Sequence, residues 1–155
     1  MTTLAPQRRA DDQPLEHAVS VIIPAYNEEQ AIDAQIDAVR EVLQATDWKF
    51  EIIAVDDGST DATAERVRAH EDVKLLQQAK NMGYGSSLKM GIAAASFPFV
   101  LITDADGTYP TKSIPDLLAR ADDCDMVVAS RTGAVVHTPF LRKPAKWFLR
   151  GLACY

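Results

Sequence analysis

Short apolar runs alternate with stretches whose apolar residues fall at helical spacing. AVSVIIPAY (residues 18–26), FEIIAVDD (50–57), VKLLQQ (73–78), FVLITDAD (99–106) and DMVVAS (125–130) read as five β-strands. After the first, Asn27 followed three residues on by Gln30 has the pattern of a capping box, and Ile32, Ile36, Val39 and Leu43 predict an amphipathic helix over 28–45. A second helix is expected over 61–70, after Gly58, Ser59 and Thr60. A glycine turn and a third helix are expected within MGYGSSLKMGIAAAS (82–96), and a fourth helix over 112–121. Strands alternating with helices imply an α/β fold with a mostly parallel sheet. The continuous apolar character of several strands implies that helices cover both faces.

A chain of 155 residues is long enough for one domain with a sizeable core and too short for two ordinary ones. Neither Cys124 and Cys154 nor His17, His70 and His137 fall in a metal-ligand spacing, and two cysteines make no disulfide framework, which suits a reducing, cytoplasmic setting. The first 17 residues are polar, lack the apolar stretch of a secretory signal and read as a mobile tail.

The net charge of −6 conceals an asymmetry. Residues 126–155 carry five Lys/Arg and no Asp or Glu, so residues 1–125, with 11 basic and 22 acidic side chains, have a net charge of −11. So acidic a body argues against nucleic acid as a partner. In the basic region, Trp147, Phe148, Leu152 and Tyr155 fall at helical spacing after Pro139 and Pro144. Residues 139–155 are therefore expected to start an amphipathic helix that stops without a cap, as in a truncated chain; an ordinary packing helix and a membrane-surface helix both fit.

Chemistry is concentrated where strands end. In open α/β sheets ligands bind beyond the carboxyl ends of the strands, and three strands here run into polar clusters: PAYNEE, VDDGSTD and TDADGTYP. Asp104 and Asp106, separated by Ala105, would repel unless a cation lay between them. Two carboxylates suit a hard divalent ion, Mg²⁺ or Mn²⁺, whose open positions take phosphate oxygens. Asp56 or Asp57 can accept hydrogen bonds from a nucleobase or ribose, or simply cap the following helix.

In this order and spacing, VSVIIPAYNEEQAI, EIIAVDDGSTDAT, NMGYGSSLKMGI, DADGTYP and VVASRTG resemble the family 2 glycosyltransferases, especially the branch acting on dolichyl and polyprenyl phosphates. The resemblance spans residues 19–133. It implies a GT-A fold, a Rossmann-like nucleotide-diphospho-sugar transferase layer, with a donor-binding domain over 18–138 between the tail 1–17 and the helix of 139–155. It also implies a metal-dependent, inverting transfer of sugar from a nucleotide-diphosphate donor to a polyprenyl phosphate. Pro24, Tyr26, Glu28, Asp56 and Asp57 then contact the nucleotide, with Asp56 reading the base. Asp104 and Asp106 form the DxD metal site around Ala105. Arg131 approaches the diphosphate and, with Asp106, serves the reaction itself. Gly83, Gly85 and Lys89 form a glycine turn and a basic residue beside the donor, although a solvated helix charge equally explains Lys89. Such a protein would sit in the cytoplasm or against the cytoplasmic face of a membrane.

Two features depart from the family. Thr108 stands where some relatives carry glutamine as a further metal ligand. The chain also ends before the segment in which many inverting members carry a catalytic base, although an acceptor phosphate is already anionic and needs none. A catalytically incomplete nucleotide-sugar-binding fragment is therefore the principal alternative. DADGT also resembles the nucleophile motif of haloacid-dehalogenase-like phosphatases, but the acidic motifs occur in the reverse order. An EF-hand fails because Tyr109 and Pro115 occupy the positions of its glycine and glutamate. Gly83 and Gly85 lack the third glycine, at Leu88, of a dinucleotide fingerprint.

Overall fold

The computed structural model describes residues 17–129. Four strands, β1 (Ala18–Ala25), β2 (Lys49–Asp56), β3 (Val73–Gln77) and β4 (Phe99–Ile102), form one sheet in the order β3-β2-β1-β4. Every pairing is parallel, with Ile22 opposite both Ile53 and Ile102. Helices α1 (Ile32–Gln44), α2 (Thr63–Arg68) and α3 (Tyr84–Ala94) connect the strands, and a 3₁₀ turn (Thr111–Ser113) leads into α4 (Ile114–Leu118).

Alternate residues of each strand feed opposite cores, as the two-residue repeat requires. Val19, Val21 and Ile23 of β1 and Ile52 and Ala54 of β2 pack with Ile32, Ile36, Val39 and Leu43 of α1, Val67 of α2, and Ile114 and Leu118 of α4. On the other face, Ile22, Ile53 and Val55 pack with Leu88, Met90 and Ala94 of α3. Gly91 lets α3 approach closely, since a Cβ there would lie 2.5 Å from Ile22 Cγ2. The expectations of a parallel sheet and of helices on both faces hold. All eight residues of β1 are buried, including Ser20, whose hydroxyl donates to Glu51 and accepts the Phe97 N–H.

Two expectations are corrected. Asn27 does not cap the first helix, which starts at Ile32 instead of residue 28. Asn27 adopts φ 56°, a left-handed conformation that asparagine tolerates, and its side chain is committed to the neighbouring loop. A turn closed by Ala31 and Ile32 N–H donating to the Glu28 carbonyl intervenes before the helix. The strand expected over 125–130 is also absent among its described residues, 125–129. Met126 and Val128 are exposed there, so the apolar side chains of this run are not buried against the sheet as those of β1 and β2 are.

Gly58 joins β2 to the loop before α2 at φ 71°, and a Cβ there would lie 2.4 Å from the Lys80 carbonyl carbon. Left-handed backbone and backbone crowding act together, so Gly58→Ala should cost about 1–3 kcal/mol in denaturant unfolding; an unchanged midpoint would contradict this packing.

On the outer surface of α1, Arg40 donates to both oxygens of Asp72, while His70 and Arg66 donate to Asp33. Asp72 is held below the ordinary aspartate range chiefly by the Arg40 hydrogen bonds. Asp33 is lowered first by His70 and then, against the opposing effect of burial, by Arg66. A lowered folded-state pKa contributes stability above the unfolded value, about 3.9, that is lost as pH falls through the folded value. Stability should therefore fall below about pH 4, and Asp72→Asn should flatten that fall in acid titrations followed by circular dichroism.

Candidate functional site

Parallel pairing brings the carboxyl ends of β1, β2 and β4 to one edge, and hydrogen bonds join the loops that leave them. The Asn27 N–H donates to Ser59 Oγ, and Asn27 Oδ1 accepts the Thr60 N–H. The Glu28 N–H donates to Thr63 Oγ1 at 2.8 Å. Glu29 Oε2 accepts the Ala62 N–H, and the Glu29 N–H donates to Asp61. The loop before α1 and the loop before α2 thus form one unit.

A cleft of about 350 Å³ opens at this edge, lined by Pro24, Ala25, Tyr26, Glu28, Asp57, Asn81, Gly83, Tyr84, Ser87, Asp104, Ala105 and Asp106. Eight of the residues singled out in the sequence therefore line one cavity: Pro24, Tyr26, Glu28, Asp57, Gly83, Asp104, Ala105 and Asp106. Gly107, at φ 69°, turns the chain back beneath the acidic pair, and Asp106 Oδ1 accepts the Thr108 N–H at 2.9 Å. Ala105 is buried while Asp106 is exposed, so the alternation anchors the loop and presents its second carboxylate. A second hollow, of about 450 Å³, lies between Ala31, Ala34 and Ala38 on one side and Tyr109, Pro110 and Lys112 on the other, and Asp106 borders it too.

The cleft gathers acidic side chains, and two titratable groups register it. The Glu28 carboxyl is raised above the ordinary glutamate range by burial first, then by the carboxylates of Asp106, Asp61 and Asp104. The Tyr84 phenol is likewise pushed up, first by burial and then by Asp104, to which its hydroxyl donates a 3.2 Å hydrogen bond.

The two acids of VDDGSTD are placed differently. Asp56 is almost wholly buried and does not line the cleft; its oxygens accept the Ser59 N–H and the Gln77 amide. Asp57, also buried, accepts from Gln78 Nε2, the Met82 N–H and the Gly83 N–H. Gly85 and Lys89 lie on the exposed side of α3, outside the cleft lining. Arg131 lies outside the described residues, as does the segment 139–155.

Sequence reasoning missed Tyr84, whose only signal is an aromatic ring between Gly83 and Gly85. It also missed Gln35, which from α1 donates a buried 3.1 Å hydrogen bond to Thr103, the residue before Asp104. Its helical position marked it only as part of a buried stripe.

The donor set fits a hard divalent cation. Asp104, Asp106 and Glu28 offer oxygen ligands alone, and the Glu28 carboxyl, raised first by burial, is raised further by Asp106, Asp61 and Asp104, which a cation would offset. Among the described residues no group of three or more His, Cys, Asp or Glu side chains is arranged to hold an ion unaided. Mg²⁺-type sites commonly use one or two carboxylates and leave the remaining positions to water and substrate phosphate.

A parallel α/β layer with an acidic cleft at its carboxyl edge is the frame of several nucleotide-binding folds, and similarity to known proteins identifies which one. The model for Glycosyl transferase family 2 matches residues 20–152, and the chain belongs to that family. It is 34% identical over 132 residues to a dolichol-phosphate mannosyltransferase of Pyrococcus furiosus, covering 81% of this chain and 37% of that protein. It is 28% identical over 153 residues to a dodecaprenyl-phosphate galacturonate synthase of Rhizobium johnstonii, covering 94% of this chain and 45% of the relative. Among solved structures, the mannosyltransferase PcManGT of Pyrobaculum calidifontis, in complex with GDP-Man and Mn²⁺, superposes with a TM-score of 0.54 at 30% identity, over 66% of this chain and 32% of that one. The fold is GT-A, and the chain spans less than half the length of these relatives.

The crowding of Glu28 has a consequence for stability. Its raised folded-state pKa means that it does not oppose folding below the unfolded value, about 4.3, and opposes it as pH rises through the folded value. Glu28→Gln should therefore raise the melting midpoint of the metal-free chain near neutral pH, with the gain fading below about pH 4. A lower midpoint near neutral pH would show that Glu28 makes a net favourable contribution.

Proposed function

We propose that this chain is the donor-binding part of a metal-dependent, inverting glycosyltransferase that moves a sugar from a nucleotide diphosphate to a polyprenyl phosphate. One observation carries the reading: Tyr26 and Glu28, Gly83 and Tyr84, and Asp104 and Asp106, from three separate loops, line a single cleft at the carboxyl edge of the sheet. The dolichol-phosphate and dodecaprenyl-phosphate relatives support the acceptor class.

In this reading Tyr26 and the loop joined through Asn27, Ser59 and Thr60 receive the nucleoside, and the buried Asp56, which accepts from Ser59 and Gln77, braces that loop from within. Asp104 and Asp106 would hold Mg²⁺ or Mn²⁺, which when bound supplies positive charge at the diphosphate. Arg131 adds a second cation from the segment after residue 129. A phosphate oxygen of the acceptor attacks the anomeric carbon from the face opposite the diphosphate. The bond from that carbon to the diphosphate oxygen breaks, its electron pair leaves with the nucleoside diphosphate, and the configuration inverts. The anionic acceptor needs no general base from the protein. The sequence LRKPAKWFLRGLACY, outside the described residues, combines basic and aromatic side chains suited to a lipid surface. Among the described residues no helix is long and apolar enough to cross a membrane.

A second reading is donor binding without transfer, which the same cleft also supports. Titration calorimetry with UDP- and GDP-sugars, with and without Mn²⁺, tests the shared part of both readings. Metal-dependent binding of one nucleotide class is expected, with Asp106→Ala abolishing it; binding that survives Asp106→Ala would overturn the assignment. Formation of a sugar-linked polyprenyl phosphate by the same sample separates transfer from binding alone.

A further inference from the structure

We propose that Tyr84 is a positioning residue that clamps Asp104 for a divalent cation, and that Asp57 sets the clamp from below rather than touching the nucleotide. The inference rests on the metal reading of Asp104 and Asp106 and adds two roles to it.

Asp57 follows the last residue of β2, and its own N–H donates to the Ala25 carbonyl, so its backbone belongs to the rigid sheet. Its side chain is 4% exposed and receives three donors: the Met82 N–H at 2.8 Å, the Gly83 N–H at 2.9 Å and Gln78 Nε2 at 2.8 Å. Gln78 Nε2 also donates to Ser87 Oγ, and the Ser86 hydroxyl donates to Gln78 Oε1, so the same buried cluster grips the first turn of α3. Charge-assisted bonds to backbone N–H groups on both carboxylate oxygens fix the chain immediately before that helix. Gly83, at φ 91°, makes the sharp entry, and Tyr84 follows as the first helical residue. Its hydroxyl reaches Asp104 Oδ1 across the cleft at 3.2 Å. That distance is long for an O–H···O bond, as is common before a ligand draws a site together.

A carboxylate at a loop tip has two torsions to search. A donor on one oxygen narrows the search and leaves the other oxygen for the ion, and partners of this kind typically contribute 10–100-fold to metal affinity. Asp57 cannot be exchanged for asparagine without loss: an amide in place of one oxygen puts a donor against an N–H that already donates.

The test is Mn²⁺ titration of the full 155-residue chain, followed by the loss of free-ion signal in electron paramagnetic resonance, alongside the metal-free melting midpoint. Tyr84→Phe removes one hydroxyl and should weaken Mn²⁺ binding roughly 10-fold or more with the midpoint unchanged. Asp57→Asn should weaken it similarly, and the double variant should be no weaker than the worse single one, because both act through Asp104. Tyr84→Phe binding Mn²⁺ as the wild type does overturns the clamp and leaves the metal reading standing. Single effects that multiply in the double variant overturn the role given to Asp57. A wild-type chain that takes up no Mn²⁺ contradicts the metal reading, and the clamp with it. If Asp57→Asn fails to fold, Tyr84→Phe decides the clamp, and Gln78→Met, which removes one of the three donors to Asp57, replaces it in the cycle.

Discussion

Everything at the cleft depends on β1 being paired in parallel on both sides. Ile22 sits between Ile53 and Ile102, and β3 pairs in parallel with β2, so all four strands point the same way and deliver the segments that follow them to one edge. An antiparallel neighbour would send its loop to the opposite end of the sheet. The register is secured by burial of all eight β1 residues, since a one-residue slip would exchange the two core faces. Helices α1 and α3 then lock the sheet from opposite sides, α3 at the close approach that Gly91 permits.

That geometry concentrates negative charge. Burial and the carboxylates of Asp106, Asp61 and Asp104 together raise the Glu28 carboxyl, on a body whose first 125 residues already carry a net charge of −11. Such a surface would repel a diphosphate. A bound divalent cation would reverse the balance, making acids a means of recognising an anion. The fold tolerates the crowding because the loops are braced independently of it: Asn27 by Ser59 and Thr60, Gly83 by Asp57, and Thr103 by Gln35.

Much of this was legible in the sequence. Four of the five expected strands form, within a few residues of their expected bounds, because Val, Ile and Leu runs between turn residues leave little choice. The helix of Ile32, Ile36, Val39 and Leu43 was equally plain. Its start was not, because Asn27 matches a cap locally while its side chain is claimed by a loop over 30 positions away, which periodicity does not see. The run 125–130 has strand composition but is not paired over 125–129, where Met126 and Val128 are exposed, and composition carries no information about pairing. Within the site, the aspartates announced themselves by spacing. The adjacent acids Asp56 and Asp57 did not reveal that one orients toward Ser59 and Gln77 and the other supports the turn before α3. Tyr84 and Gln35 were hidden because their importance lies in partners brought together by the fold.

If the segments after β1, β3 and β4 surround one cation, substoichiometric Mn²⁺ added to isotopically labelled protein will broaden the backbone amides of residues 26–28, 83–84 and 104–107 strongly and together. Little broadening is expected at Asp33, Asp37 and Asp72 beside the outer face of α1, whose carboxylates are paired with Arg40, Arg66 and His70. Broadening centred on that outer cluster, or spread evenly over the acidic surface, would contradict a single cation site in the cleft.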